Sequence, residues 1–185
     1  MYKPLKSKQN GFSMIEILIV ILTIAVFGSI TTLMLANATR IYSTSLKKQK
    51  LITESRSTFF KILRESSWQK SNYSFSGSNN KKLIINPSDG NNITYELRQT
   101  NDIIHSNDQV DNGITEIINE NIDFSQSLIT FKNSNDISID IENQITDINS
   151  IELKLKFNQS NQDLLFQSRV MPYNLRIGRA MTYHE

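Results

Sequence analysis

A single carboxylate, Glu16, stands at the start of an apolar segment long enough to cross a membrane. Residues 17–39 contain no Asp, Glu, Lys or Arg, whereas Lys3, Lys6 and Lys8 precede the segment. A charge is costly in hydrocarbon, so an acid inside a membrane segment is expected to have a functional partner. The chemistry available to such a carboxylate is ionic pairing with a cation brought close to it.

Residue types that commonly carry out catalysis are sparse in this chain. There is no cysteine, the six glycines form no phosphate-binding loop, and His105 and His184 lack a metal-ligand spacing. Asp102, Asp108 and Asp111 could offer oxygen ligands to a hard cation such as Ca²⁺, but they lack EF-hand spacing. Solvated loop carboxylates are the favoured interpretation. We therefore expect no enzymatic activity, no cofactor and no bound metal.

Residues 11–16, Gly-Phe-Ser-Met-Ile-Glu, separate the basic leader from the apolar run. A secretory signal peptide has its small-residue cleavage site after the apolar region, whereas Gly11 and Phe12 come before it. The basic leader, Gly11, Phe12, the position of Glu16 and the apolar length together resemble the type IV prepilin signal. That signal is found in type IV pilins and in the pseudopilins of type II secretion and DNA-uptake machines. The specific part of the resemblance covers only about the first 40 residues of this chain.

The resemblance implies processing at the N-terminus. A prepilin peptidase would cut between Gly11 and Phe12 on the cytoplasmic side and N-methylate Phe12, so that the apolar segment is kept. It also implies that Glu16, the fifth mature residue, pairs with the N-terminal amine of a neighbouring subunit and sets the axial register. Such a pair is strongly attractive in low dielectric. The competing interpretation is an interfacial Glu16 near a helix start, favoured by the helix dipole alone.

The apolar run predicts a single membrane-spanning helix. About 20 helical residues cross the roughly 30 Å hydrocarbon core, and residues 17–36 supply them. The leader lysines are expected to stay in the cytoplasm by the positive-inside bias. This predicts an inner-membrane protein with a periplasmic domain, and an unrelated signal anchor is the alternative. The span begins with Ile17, Leu18, Ile19, Val20, Ile21 and Leu22.

Four regions are predicted along the chain: the cleaved leader 1–11, the membrane or filament-core helix 12–39, its amphipathic continuation 40–70, and a β-rich domain 71–185.

The net charge is +2, and removal of the three leader lysines leaves −1, so the mature chain is nearly neutral. Its charge is therefore no argument for nucleic-acid binding. Without cysteine, an exported domain depends on its core and its neighbours for stability.

The helix is predicted to continue to about Trp68, with an apolar stripe formed by Ile52, Phe59, Phe60 and Leu63. Beyond it, alternating apolar residues predict strands bounded by polar turns at 87–90 and 133–136. The predicted fold class is α+β, a long N-terminal helix packed on an antiparallel sheet as in pilins. The predicted strands are Lys82–Ile85, Ile93–Arg98, Asp102–His105, Gly113–Ile118, Ile122–Phe124, Leu128–Lys132, Ile137–Ile141, Ile151–Phe157 and Leu164–Val170.

The C-terminal segment offers a different function. Arg169, Arg176 and Arg179 lie near Tyr173 and Tyr183, and cations interleaved with aromatic residues can bind DNA through phosphates and stacking. Solvent-facing arginines on a terminal strand explain the same residues and are favoured. A tip subunit that binds DNA or a surface stays as the alternative.

Together these features predict a minor pilin or pseudopilin. It would be a structural subunit that takes part in assembly or initiation of a type IV pilus or a type II secretion pseudopilus. The expected partners are other pilins or pseudopilins, the prepilin peptidase, the inner-membrane assembly platform and the membrane itself.

Overall fold

The structure, a computed structural model, describes residues 12–87, 92–107, 115–159 and 162–175. The chain divides into two compact units, Met1–Lys47 and Lys48–Glu185. Helix α1 spans Met14–Ser66 and ends two residues before the predicted end. Among the described residues, seven strands and a short helix α2, Ile141–Gln144, follow it, which confirms the α+β class.

The described strands form two antiparallel sheets, whereas a single sheet was predicted. Strands β1 to β4 pair in sequence order in one sheet, and β5, β6 and β7 form the other. The predicted bounds of β1 and β5 are confirmed, and the ends of the other five strands differ from prediction by at most two residues. The predicted start of β4, Gly113, lies outside the described residues. The strands are β1 Lys82–Ile85, β2 Ile93–Leu97, β3 Ile103–Asn107, β4 Thr115–Asn119, β5 Leu128–Lys132, β6 Ser150–Gln159 and β7 Gln162–Val170.

Two predicted strands are wrong. Residues 122–124 make one bridge, between Ile122 and Phe157, before the chain turns at Asp123. Residues 137–141 make one bridge, between Ser138 and Lys132, and the carboxylate of Asp140 then caps the backbone N–H of Glu142 to start α2. At the first place the Asp123 carboxylate likewise accepts a hydrogen bond from the backbone N–H of Gln126. Such local bonds compete with the ladder bonds of a strand.

The buried face of α1 is displaced from the predicted stripe. Phe60 is 57% exposed, although its neighbour Phe59 is buried. The helix advances about 100° per residue, so two adjacent phenylalanines cannot both lie at the centre of one face. Small polar residues share the buried face, which therefore was not visible as a purely apolar pattern. That face consists of Leu51, Ser55, Thr58, Phe59, Ile62, Glu65 and Ser66.

Both sheets contact this face of α1 within the second unit. The ring of Phe59 lies 5.3 Å from the ring of Phe166 on β7, and Thr58 Oγ1 donates to the carbonyl of Ile118 on β4. Apolar residues of both sheets belong to one buried cluster. Since burial of apolar area is the main driving force of folding, this shared core stabilises the unit in place of disulfides.

A buried polar cluster lies between α1 and the first sheet. The hydroxyl of Tyr95 on β2 donates to Glu65 Oε2 at 2.5 Å, and Glu65 is only 7% exposed. His105 Nε2 lies 4.0 Å from the same carboxylate oxygen, with its ring 5.1 Å from that of Tyr95. Burial and then the hydrogen bond to Glu65 raise the pKa of Tyr95 above its ordinary value of 10.0.

This cluster predicts a measurable loss of stability in alkali. Because the pKa of Tyr95 is raised in the folded state, its full contribution to the free energy of unfolding is present below about pH 10. Above that pH the contribution falls by up to about 1.4 kcal/mol per pH unit. Tyr95→Phe removes the titrating hydroxyl, so its unfolding free energy should decline less steeply above pH 10 than that of the wild type. At neutral pH the variant should lose about 1–3 kcal/mol.

Urea unfolding of the full chain in detergent across this pH range measures both effects. Tyr73→Phe is the matched control because Tyr73 is exposed. Identical alkaline slopes for wild type and Tyr95→Phe would contradict the assignment.

Candidate functional site

The start of α1 is a reciprocal capping arrangement between Ser13 and Glu16. The backbone N–H of Ser13 donates to Glu16 Oε2 at 2.8 Å, and the backbone N–H of Glu16 lies 3.3 Å from Ser13 Oγ. This is a capping box, in which the residue before the helix and the third helical residue satisfy each other's backbone donors. Glu16 therefore fixes where α1 begins, in addition to any pairing with a second subunit.

The capping partner of Glu16 was missed by the sequence reasoning, although the signal is present. Ser13 precedes Glu16 by three residues and stands directly before an apolar run, which is the sequence signature of a capping box. The competing interpretation placed Glu16 near the start of a helix, as the structure does, but it did not identify Ser13 as the residue whose backbone N–H binds the carboxylate. Ser13 is thus a second candidate site residue.

The apolar part of α1 contains a window long and apolar enough to cross a membrane, and none of that window is buried. The predicted span residues, from Ile17 through Leu22, are all exposed. Large apolar side chains exposed over several turns need a non-aqueous environment or a partner. By length and composition, α1 is therefore suited to single-pass anchoring.

Hydroxyl groups inside the span have their hydrogen-bonding needs met by the helix itself. Thr23, Ser29 and Thr31 donate to the backbone carbonyls of residues 20, 26 and 27. Thr32 donates to the carbonyl of Gly28, and α1 continues through that glycine without interruption. A polar group left unpaired in hydrocarbon is costly, so these internal bonds make the segment compatible with a bilayer core.

The predicted cleavage site lies at the edge of the described residues. Phe12 is exposed and precedes the capping residue Ser13, whereas Gly11 lies outside the described residues. The peptide bond after Gly11 is therefore two residues before the first residue of α1, Met14. A cut there would leave the capping box and the whole apolar helix in the mature chain.

The other sequence-derived candidates do not form a site in the described part of the chain. Arg169 Nη1 donates to Asp136 Oδ1 and its Nε to Ser150 Oγ, at 2.8 and 2.7 Å. The hydrogen bond from the Lys132 ammonium holds the pKa of the Asp136 carboxyl below its usual value, and the nearby charge of Arg169 lowers it further. This arginine thus takes part in an ionic network on the second sheet. Of the remaining tail candidates, Arg176, Arg179 and Tyr183 lie outside the described residues.

The described residues contain no group of three or more His, Asp or Glu side chains that could hold a metal ion. Of the acidic loop residues considered for Ca²⁺, Asp102 accepts a hydrogen bond from Thr100 Oγ1 at 2.8 Å. Asp108 and Asp111 lie outside the described ranges, as does His184.

No protein-family model, curated protein or solved structure matches this chain. The capped and exposed apolar helix is therefore the feature from which a function can be argued.

Proposed function

We propose that the chain is a minor pilin or pseudopilin, a non-enzymatic subunit of a type IV pilus or a type II secretion pseudopilus. In this proposal a prepilin peptidase removes residues 1–11 and methylates Phe12. The mature subunit is anchored in the inner membrane by α1 and then transferred into a filament by the assembly platform. Its β-rich part lies in the periplasm.

One observation supports the proposal most directly: Glu16 lies at the first turn of an exposed, membrane-length helix. Two exposed apolar residues follow Ser13 before Glu16, and the apolar run continues after it. In a plain signal anchor Glu16 would serve only to cap the helix, and an uncharged Gln can make the same capping bond. A subunit whose mature N-terminus becomes an amine at Phe12 needs an acid here, because the amine and the acid neutralise each other in low dielectric.

The capping bond and an intersubunit ion pair are chemically compatible. An ionised carboxylate offers about four acceptor positions, and the backbone N–H of Ser13 uses one of them. Glu16 can therefore cap its own helix and bind a neighbour's amine at once. In this arrangement the cap also holds the carboxylate in one orientation, which makes the axial register reproducible.

The charges on either side of the membrane span make the orientation of the chain in the membrane a critical test of the proposal. Three lysines precede it, whereas five Lys or Arg residues follow it between residues 40 and 56. The leader lysines favour the proposed orientation when taken alone, but by count of both flanks the positive-inside bias favours the reverse topology. The proposal therefore requires that the precursor be oriented by its insertion and processing machinery against this count.

We expect a cysteine introduced by Ser76→Cys to react with a membrane-impermeant maleimide added outside the inner membrane. The natural chain has no cysteine, and Ser76 is exposed, so the signal has a single origin. Ser7→Cys, placed in the leader of the uncut chain, should react only after the membrane is permeabilised. The opposite labelling pattern would show that residues 71–185 are cytoplasmic, which is incompatible with a filament subunit.

The proposal also predicts a new N-terminus. In cells that contain a prepilin peptidase, the purified chain should begin at Phe12 and carry one added methyl group, as its intact mass will show.

A further inference from the structure

Charge is distributed very unevenly along the chain. Residues 40–70 contain eight Lys or Arg and two Glu, a net charge of +6. Residues 71–185 contain nine Lys or Arg and fifteen Asp or Glu, a net charge of −6. The mature chain is thus nearly neutral overall although it has one strongly basic and one strongly acidic part. Surfaces of opposite charge attract and orient partners, so this division is itself a recognition feature.

The basic part presents exposed aromatic side chains as well as cations. Phe60 is 57% exposed and Trp68 is 46% exposed, while Arg64 lies over the Trp68 ring at 5.7 Å from its centroid. Phe60 and Arg64 lie two residues to either side of the buried Ile62, which places both on the opposite side of α1. We call Phe60, Lys61, Arg64 and Trp68 the outer stripe.

The outer stripe has the composition of a contact surface. Trp, Phe and Arg are enriched at the centres of protein interfaces, where large side chains are desolvated by a partner. Phe and Trp are commonly buried in cores, yet Phe60 lies on the outer side of α1 and Trp68 is exposed in the turn just after the helix ends. Lys61 and Arg64 show which charge the partner should carry.

A matching acidic surface occurs in the same chain. Residues 133–149 contain four acids and no Lys or Arg. Asp136 is neutralised by Lys132 and Arg169, and Asp140 caps α2. Glu142 and Asp147 are exposed and make no ion pair with the described residues. We call residues 140–147 the acidic segment.

We infer that the outer stripe of one subunit docks against the acidic segment of a second copy of this chain. The inference rests on the proposed function, since it assigns the subunit contact of the proposed filament. Charge complementarity selects the partner, because the two cations of the outer stripe are matched by the two acids of the acidic segment that make no ion pair with the described residues. Because two different surfaces meet, the contact is heterologous, and a heterologous contact that does not close into a ring continues as an open filament.

The contact is tested with the full chain, made as a mixture of ¹⁴N- and ¹⁵N-labelled copies in membranes. A carbodiimide joins a lysine amine to a carboxylate as an amide only where the two groups touch. Mass spectrometry should find peptides that join Lys61 of one label to Glu142 or Asp147 of the other label. Crosslinks between like labels alone would place the contact within one subunit and overturn the inference.

Charge reversal provides a second test of the proposed contact. When tagged and untagged copies both carry Lys61→Glu and Arg64→Glu, co-isolation should fall at least about tenfold, because like charges then face each other. Adding Glu142→Lys and Asp147→Lys to both copies should restore it. Lys154→Glu is the matched control, since Lys154 is exposed on β6 outside both surfaces and should leave co-isolation unchanged.

The outcomes separate this inference from the proposed function. A chain that begins at Phe12 but shows no mixed-label crosslink at Lys61 overturns the contact and leaves the pilin proposal standing. Crosslinks from Lys61 to a different protein, or unchanged co-isolation after charge reversal, also overturn it. A chain that is never cut overturns the proposed function whatever the crosslinks show.

Discussion

Replacing Glu16 by Ala should abolish incorporation of the chain into filaments while leaving its synthesis, membrane insertion and cleavage intact. In the proposed assembly the substitution leaves the Phe12 amine of a neighbouring subunit without its counter-charge in low dielectric. Breaking such a buried pair costs about 3–5 kcal/mol. The ratio of filament-bound to membrane-bound chain should therefore fall on the order of a hundredfold or more.

Two further variants separate the charge of Glu16 from its capping bond. Glu16→Gln removes the charge but keeps an acceptor at the third helical position, where Gln also forms capping boxes. Ser13→Ala keeps the charge and removes the hydroxyl that lies 3.3 Å from the Glu16 backbone N–H, at a cost of about 1 kcal/mol.

The pairing mechanism predicts that Glu16→Gln fails to assemble nearly as severely as Glu16→Ala, and that Ser13→Ala still assembles. Quantitative immunoblotting of sheared filament and membrane fractions gives the ratio. Normal assembly of Glu16→Gln together with failure of Ser13→Ala would assign the whole effect to the helix start and refute the ion pair. Full assembly of Glu16→Ala would favour a plain signal anchor.

Gly11→Glu should block cleavage almost completely. In the proposed processing Gly11 stands immediately before the cut bond, where we expect a charged side chain to prevent the peptidase from binding the chain. In cells with the peptidase, we expect the processed fraction to fall from nearly all to less than about a tenth, which requires the cleavage rate to fall by more than about tenfold. Gln9→Glu adds the same charge to the leader two residues earlier and serves as the control.

The block at Gly11 should also prevent assembly, although Glu16 is unchanged. Without the cut, Phe12 has no amine to pair with a carboxylate, and the leader lysines remain attached. Cleavage of Gly11→Glu at the wild-type rate, or assembly of the uncut chain, would contradict the processing model.

Long-range packing explains why the buried face of α1 could not be predicted accurately. The existence of the helix follows from its apolar run, since helical continuity needs only local bonds. Which side is buried depends on the sheets, and they accommodate Ser55 and Glu65 as well as Phe59. Glu65 can be buried because the Tyr95 hydroxyl, thirty residues away, donates to it. A single-sequence pattern carries no information about such a partner.

The strands show the same division between local and distant causes. Leu128–Lys132 and the alternating part of β6 were predicted because the period of two is a local signal. The pattern of residues 137–141 alternates as clearly, yet Asp140 starts α2 there. The division into two sheets depends on which strands pair, which alternation does not encode. The capping of Glu16 by Ser13, by contrast, was available from three-residue spacing alone.

The most direct test of the central claim is the intact mass and N-terminal sequence of the chain produced together with a prepilin peptidase. The proposed function predicts a chain that begins with N-methylated Phe12, with Gly11→Glu left uncut. A chain that still begins at Met1, in cells where a known prepilin is processed, would contradict it and leave α1 as an ordinary signal anchor.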